Sequence, residues 1–452
     1  MDIKINKITI KNFKSIKDIT INIDNLTVMV GKNGSGKTNI IEAINFNKSL
    51  FTLAPMKYPF TKWWGYTNLV YNHNIEDPVS FSFDINVEGH KLYYEYEILD
   101  NNGLPNFISE HILLDDYIDI LRKGSIVEIK HLTNAIDKLS QTNFDSNNMK
   151  YWPISKEEIL NKISQIQYIN GINSGQSVIS LGMFGSMTRI SDITISSLNL
   201  NNNMTSIQTS PAIKNSIIMV SLPFKDSKNL NNSLYPNLVN FVFFGGIINN
   251  IFNKIITLGP IDYKAMKNRV PIAGPSFIAD DGTGFVRILY QYFLQNRKLP
   301  PLVEGGITSF FPGWELNFEA MPDGTITLFV KSGEDYFYPP GLPLGFYKLI
   351  IILELIEQKP EILLLDELEN SFHEKMIEYV LDAIKARGIK TIISTHSPLV
   401  VDLVDLKHIL IVKMLNKQTV VKHIKNSRQK SENLIKEGIT PSESLLYGDI
   451  DR

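Results

Sequence analysis

The sequence predicts an α/β fold built on a mixed sheet, with an antiparallel β lobe beside it and an inserted, mainly helical and loop middle region. Three observations predict it. Between residues 346 and 414 apolar strand patterns and helical patterns alternate, which is how a parallel sheet covered by helices is written. Near the N-terminus a short apolar strand, Leu26 to Val30, runs straight into a glycine-rich loop and then a helix. Between Val79 and Leu99 apolar and polar residues alternate around Glu88-Gly89-His90, the pattern of a hairpin that turns at glycine.

Along the chain, Ile3 to Ile23 alternates in strand fashion with a turn or edge at Asn12 to Ser15, and the helix after the glycine-rich loop begins over Asn39 to Asn45. From about Gly103 to Leu258 Asn, Ser and Ile become dense, as in SSLNLNNNMTS from Ser196, and no long period persists. This stretch reads as an inserted lid of helices and long loops. Sustained a/d heptads are absent there, which argues against a coiled-coil arm. Order returns at Asp280-Asp281-Gly282-Thr283-Gly284, before a helix from Phe285 to Leu294. The last third reads as helix Phe346 to Gln358, strand Glu361 to Leu365, helix Glu374 to Arg387, strand Lys390 to Ser394, helix Ser397 to Leu403 and strand Ile409 to Met414. The expected segments are therefore 1–102, 103–274 (inserted), 275–415 (the second part of the same head) and 416–452 (a tail).

Of the 452 residues 43% are hydrophobic and 20% charged, so bulk disorder is excluded. Lys plus Arg is 45 against 47 acidic residues, so no global basic field advertises nucleic acid or an anionic membrane. Cysteine is absent, which removes disulfides, thiolate metal sites and a cysteine nucleophile together. The N-terminus lacks a secretory apolar core, and no apolar run approaches the roughly 20 residues of a membrane helix. The expectation is a cytoplasmic protein that does not span a membrane.

Gly31-Lys32-Asn33-Gly34-Ser35-Gly36-Lys37-Thr38, followed by Asn39, satisfies G-x-x-x-x-G-K-[ST] between a strand and a helix, the context this phosphate loop requires. Backbone N–H groups and the positive helix end cradle the phosphates of a nucleotide, Lys37 reaches the β and γ phosphates, and the Thr38 hydroxyl ligates Mg²⁺. The apolar strand Ile362 to Leu365 ends in Asp366-Glu367. Asp366 suits the Mg²⁺ ion, and Glu367 suits the water that attacks the γ phosphate. A third apolar strand ends at Ser394-Thr395-His396-Ser397-Pro398. An adjacent parallel strand end would deliver His396 to the same crevice.

With Ile10-Lys11-Asn12-Phe13-Lys14-Ser15, GKNGSGKTNIIEAINF from Gly31, LLLDELENSFHE from Leu363 and STHSP from Ser394, the chain resembles the ABC-type ATPases of the SMC, RecF and OLD group. The resemblance covers roughly residues 1–100 and 275–415. It implies ATP and Mg²⁺ as cofactors, places Phe13, Lys14 and Ser15 near the base and ribose, and makes His396 a sensor of the γ phosphate. It also implies a site closed by a second subunit, whose signature motif aligns here with Leu342-Pro343-Leu344-Gly345-Phe346-Tyr347-Lys348. Gly345 is retained, while proline stands in place of the motif's serine and removes a hydroxyl and an N–H donor.

The implied function is an ATP-gated homodimer, or higher oligomer, acting on DNA in genome maintenance or in defence against viruses and plasmids. An ATP-gated structural DNA clamp with little turnover is the alternative, which Pro343 favours. A transporter subunit is disfavoured by the long separation between the phosphate loop and Asp366. OLD nucleases continue into a Toprim domain, whereas about 56 residues follow His396 here. A separate effector protein, such as a nuclease, is therefore expected. Lys407, Lys413, Lys417, Lys422, Lys425, Arg428 and Lys430 lie in a stretch without acids, read either as a nucleic-acid track or as a solvated face.

Overall fold

A computed structural model describes residues 3–51, 59–87, 89–115, 118–123, 126–131, 193–199, 204–209, 248, 251–275 and 277–447. The chain folds as two compact units, one formed by Met1–Asn22 with Phe46–Asn253, the other by Ile23–Asn45 with Lys254–Arg452. Strands β1 (Ile3–Phe13) and β2 (Ile16–Asn22) form the expected N-terminal hairpin, followed by β3 (Leu26–Val30) and helix α1 (Lys37–Phe51). The buried isoleucines of β1 are 3 and 5, then 8 and 10. That change of phase coincides with an irregularity in the ladder between Ile5 and Lys7, because a period-2 pattern that slips by one residue keeps its apolar face inward only through a bulge.

The chain then adds β4 (Val79–Val87), β5 (His90–Asn101), β6 (Leu104–Leu114), β7 (Ile118–Lys123), β8 (Ile126–His131), β9 (Ile193–Asn199) and β10 (Met204–Thr209). With β1 and β2 these make a nine-stranded antiparallel sheet in the order β2-β1-β4-β5-β6-β7-β8-β10-β9. Its inner face is aromatic: Phe81 stacks on Phe46 of α1 with centroids 5.9 Å apart, and Phe83 meets Phe252 edge to face at 5.1 Å.

The expected helices and loops of residues 103–274 fall largely outside the described residues, and the part that is described is chiefly strand. Two physical causes hide the strands. The register shifts between Glu97 and Ile98 where β5 pairs with β6, so the alternation in β6 breaks between buried Phe107 and buried Ile112. One inward position is also a carboxylate: Glu110, fully buried, is paired with Arg122 of β7 at 2.9 Å. A charge can be buried in this way only when a partner and hydrogen bonds compensate its desolvation.

The second unit continues with β11 (Ile255–Leu258), β12 (Val270–Pro271), α2 (Phe285–Asn296), α3 (Pro301–Phe310), β13 (Trp314–Ala320), β14 (Thr325–Ser332), β15 (Asp335–Phe337) and α4 (Leu344–Glu357). It ends with β16 (Ile362–Leu365), α5 (Glu374–Arg387), β17 (Lys390–Thr395), α6 (Pro398–Asp402), β18 (Ile409–Leu415), β19 (Gln418–His423), α7 (Ser427–Glu437) and α8 (Pro441–Tyr447). Its main sheet runs β11-β16-β17-β3-β18-β19, parallel except for β19. All four residues of β16 and all six of β17 are buried, as expected for strands covered on both faces. A smaller antiparallel sheet, β12-β14-β13 with β15 beside β14, packs Leu316, Ile326, Leu328 and Val330 into the same core.

Residues 416–452, expected as a tail, supply the edge strand β19 and two helices. There Asp402 accepts from the Ser442 N–H at 2.8 Å and from its hydroxyl at 2.7 Å, while Asp449 and Asp451 lie outside the described residues. Among the described residues no helix is long and apolar enough to cross a membrane.

Candidate functional site

Parallel order brings the carboxyl ends of β16, β17 and β3 side by side, and that edge is where open α/β sheets hold their ligands. The loop after β3 turns on Gly34 (φ 76°) and Gly36 (φ 102°). At Gly36 a Cβ would overlap the side chain of Thr419 on β19, whose hydroxyl donates to the Ser35 carbonyl at 3.2 Å. Glycine is therefore required there twice over, by conformation and by space. Asn33 and Gly34 are exposed at the tip, Ser35 is buried, and Asn39 sits in the first turn of α1.

Lys37 is 7% exposed and curls back, its ammonium donating to the carbonyls of Gly31 at 2.7 Å and Lys32 at 3.2 Å. Burial pushes its pKa below the ordinary lysine value, against the opposing charges of Asp366, Glu369 and Glu367. The Thr38 hydroxyl donates to Asp366 Oδ2 at 3.3 Å. Asp366 Oδ1 accepts from the Ser394 hydroxyl, and burial raises the Asp366 pKa despite that bond. Thr38 and Asp366 thus offer two adjacent hard oxygens. Among the described residues no protein-only metal cage exists.

Glu367 adopts a left-handed conformation with φ 51°, uncommon for a residue with a Cβ and frequent at functional turns. Four contacts hold it. Its N–H donates to Ser394 Oγ at 3.0 Å, and its Oε2 accepts from Asn370 Nδ2 at 2.6 Å. Its carbonyl accepts from the Asn370 N–H at 3.2 Å and from Lys348 Nζ at 2.8 Å. Lys348 is 6% exposed, donates also to the Asn370 carbonyl at 2.9 Å and lies over the Phe372 ring. Burial lowers its pKa to about 8.

His396 follows β17 with its side chain 44% exposed, and its Nδ1 is 3.2 Å from Glu369 Oε1. Gly345 lies in the first turn of α4, where a Cβ would stand 2.7 Å from the Ser371 carbonyl. Its smallness thus serves close packing within the chain. Pro343 caps that helix with no side-chain hydrogen bond.

Phe13, Lys14 and Ser15 belong to the other unit, at the β1–β2 turn. The Phe13 ring is fully buried between Phe46, Trp63 and Phe81, so it is committed to packing and has no free face for a base. Lys14 is left-handed (φ 51°), with its N–H on the Leu69 carbonyl at 2.7 Å.

Four residues of the site escaped the sequence reading: Lys348, Glu369, Ser394 and Thr419. The signal for two of them was present, since Glu369 repeats the acidic pattern three residues after Asp366 and Lys348 stands at the end of the signature segment. Ser394 opens the STHSP segment, which singled out only its histidine, and Thr419 carries no local mark.

A strand–loop–helix phosphate loop beside two strand ends bearing Asp366-Glu367 and His396 is the arrangement of a P-loop nucleotide-binding head. Sequence families agree: the AAA ATPase domain matches residues 3–210, and an AAA domain named for a candidate AbiEii toxin, Type IV TA system, matches residues 226–402. The chain thus carries AAA ATPase domain sequence over both stretches.

Among curated proteins none matches this chain. Solved structures that resemble it include an SMC head bound to the C-winged helix domain of ScpA, 14% identical over 94% of this chain and 99% of that one, with a TM-score of 0.46. The SMC head domain of Thermotoga maritima is 13% identical over 93% and 99%, at 0.40. A Pyrococcus furiosus SMC head with an extended coiled coil is 14% identical over 96% and 99%, at 0.43. Superpositions this loose define neither a function nor a partner for this chain.

Proposed function

We propose that this AAA ATPase hydrolyses ATP with Mg²⁺ and works as an ATP-gated dimer, a switch in DNA maintenance or in defence against viruses and plasmids that commands a separate effector protein. The observation that carries the reading is the meeting of Lys37, Thr38, Asp366 and Glu367 at one sheet edge. Lys37 would leave its two carbonyls for the β and γ phosphates. Thr38 and Asp366 would hold Mg²⁺, which neutralises charge developing between the β and γ phosphates. Glu367 would orient and deprotonate the attacking water. The Type IV TA description of the second matching family lends support to defence over maintenance.

A second reading, a DNA clamp that rarely turns over, is favoured by the bond from Asn370 to Glu367 Oε2. A hydrogen bond accepted there stabilises the carboxylate and makes it a weaker base toward water. Steady-state hydrolysis of Mg-ATP by the pure protein, with and without duplex DNA, tests both. Turnover lost in Lys37→Ala supports the switch. ATP binding without turnover, with or without DNA, supports the clamp, and absence of ATP binding rejects both.

A further inference from the structure

We infer that Glu369 is the positioning residue of His396, a carboxylate that fixes the imidazole's orientation and proton at the sheet edge. The inference rests on the ATPase reading for its kinetic consequence, but the contact itself does not. Leu368, fully buried, anchors the turn after β16. That anchor sends Glu369, its side chain 11% exposed, back toward the end of β17. There a single oxygen, Oε1, accepts the backbone N–H of His396 at 3.0 Å and lies 3.2 Å from its ring Nδ1. One atom thus bonds the main chain of His396 and lies within ion-pair distance of its ring.

An ionised carboxylate only accepts, so Nδ1, once its N–H is turned to Oε1, carries the proton and Nε2 is left facing away from Glu369. Nε2 is then a lone pair in the neutral ring and a donor in the imidazolium, as the partner of an orienting acid in other histidine sites. Glu369 Oε2 is buried and has no donor among the described residues. A buried carboxylate oxygen without a partner costs stability, and a side chain kept at such a cost serves the site rather than the fold. Glu369 also opposes the effect of burial on both Lys37 and Lys348, which places its charge beside the phosphate-binding lysine.

Selective ¹⁵N-histidine labelling of the whole chain, with His396→Ala to assign the resonance, reads the tautomer directly. The wild type is expected to show His396 protonated at Nδ1, and Glu369→Ala to return it to the Nε2-protonated form that free imidazole side chains prefer. In hydrolysis assays Glu369→Ala and the shape-preserving Glu369→Gln are expected to lower kcat about tenfold or more, the scale of outer-shell histidine partners, with the ATP Kd within about twofold. The double variant Glu369→Ala/His396→Ala should be no slower than His396→Ala alone. An unchanged tautomer in Glu369→Ala, or a double variant slowed by the product of the single effects, would overturn the inference. If Lys37→Ala and Glu367→Gln leave turnover untouched, the ATPase reading fails instead, and the tautomer measurement still decides the role of Glu369.

Discussion

Lys37 and Glu367 sit in one crevice yet are held by different means, and their substitutions should separate. The Lys37 ammonium already bonds two loop carbonyls, so a nucleotide gains only the difference between those bonds and charge-assisted ones to phosphate. Lys37→Ala should therefore weaken ATP by about 2 kcal/mol, roughly thirtyfold, measurable with a fluorescent nucleotide. Glu367→Gln keeps the shape and the Asn370 contact while removing the base. Its expected outcome is retained ATP binding with turnover down by about two orders of magnitude or more. Full turnover in Glu367→Gln would refute the assignment of the water to this residue.

At the scale of an element, α4 joins the segment at Gly345 to the turn at Glu367 and carries a buried acid in an apolar helix. Glu354 is 3% exposed, and its Oε2 has no partner among the described residues. Burial raises its pKa to about 7 from 4.5. Between those values the folded protein binds the proton more tightly than the unfolded chain, so stability from this group is whole below pH 4.5 and is lost as pH rises through about 7. Glu354→Gln should remove that dependence: unfolding free energies should coincide with the wild type below pH 4.5 and exceed it at pH 8 by about 3 kcal/mol. Parallel pH profiles for the two proteins would contradict the burial argument. The same helix shows why Gly345 is a poor probe of assembly, since any side chain there meets the Ser371 carbonyl of its own chain.

For the whole molecule the proposed dimer has a cleaner probe in Leu344, which is 41% exposed at the first turn of α4. Light scattering should show ATP raising the mass of Glu367→Gln protein, because binding is retained and opening by hydrolysis is blocked. Adding Leu344→Arg should abolish the increase while the ATP Kd stays within about twofold, as an exposed side chain leaves the core intact. An ATP response identical in both proteins, or absent from both, would remove the composite site from the proposal.

What the sequence alone determined is whatever chemistry is local. The phosphate loop, the apolar strands ending in Asp366-Glu367 and His396, and helix Glu374–Arg387 were legible because contiguous residues carry both the pattern and its reason. Only the tertiary structure decided the rest. Ser394 joins Asp366 to the Glu367 N–H, Thr419 seats Gly36, and Lys348 grips the turn at Glu367, each from a strand or helix distant in sequence. No periodicity marks such residues, since their role exists only once the strand order β11-β16-β17-β3-β18-β19 has formed. The β6–β7 strands were hidden for a related reason: an inward Glu110 reads as surface until Arg122 is set opposite it at 2.9 Å. Burial of a charge is decided by its partner, and the partner is chosen by the fold.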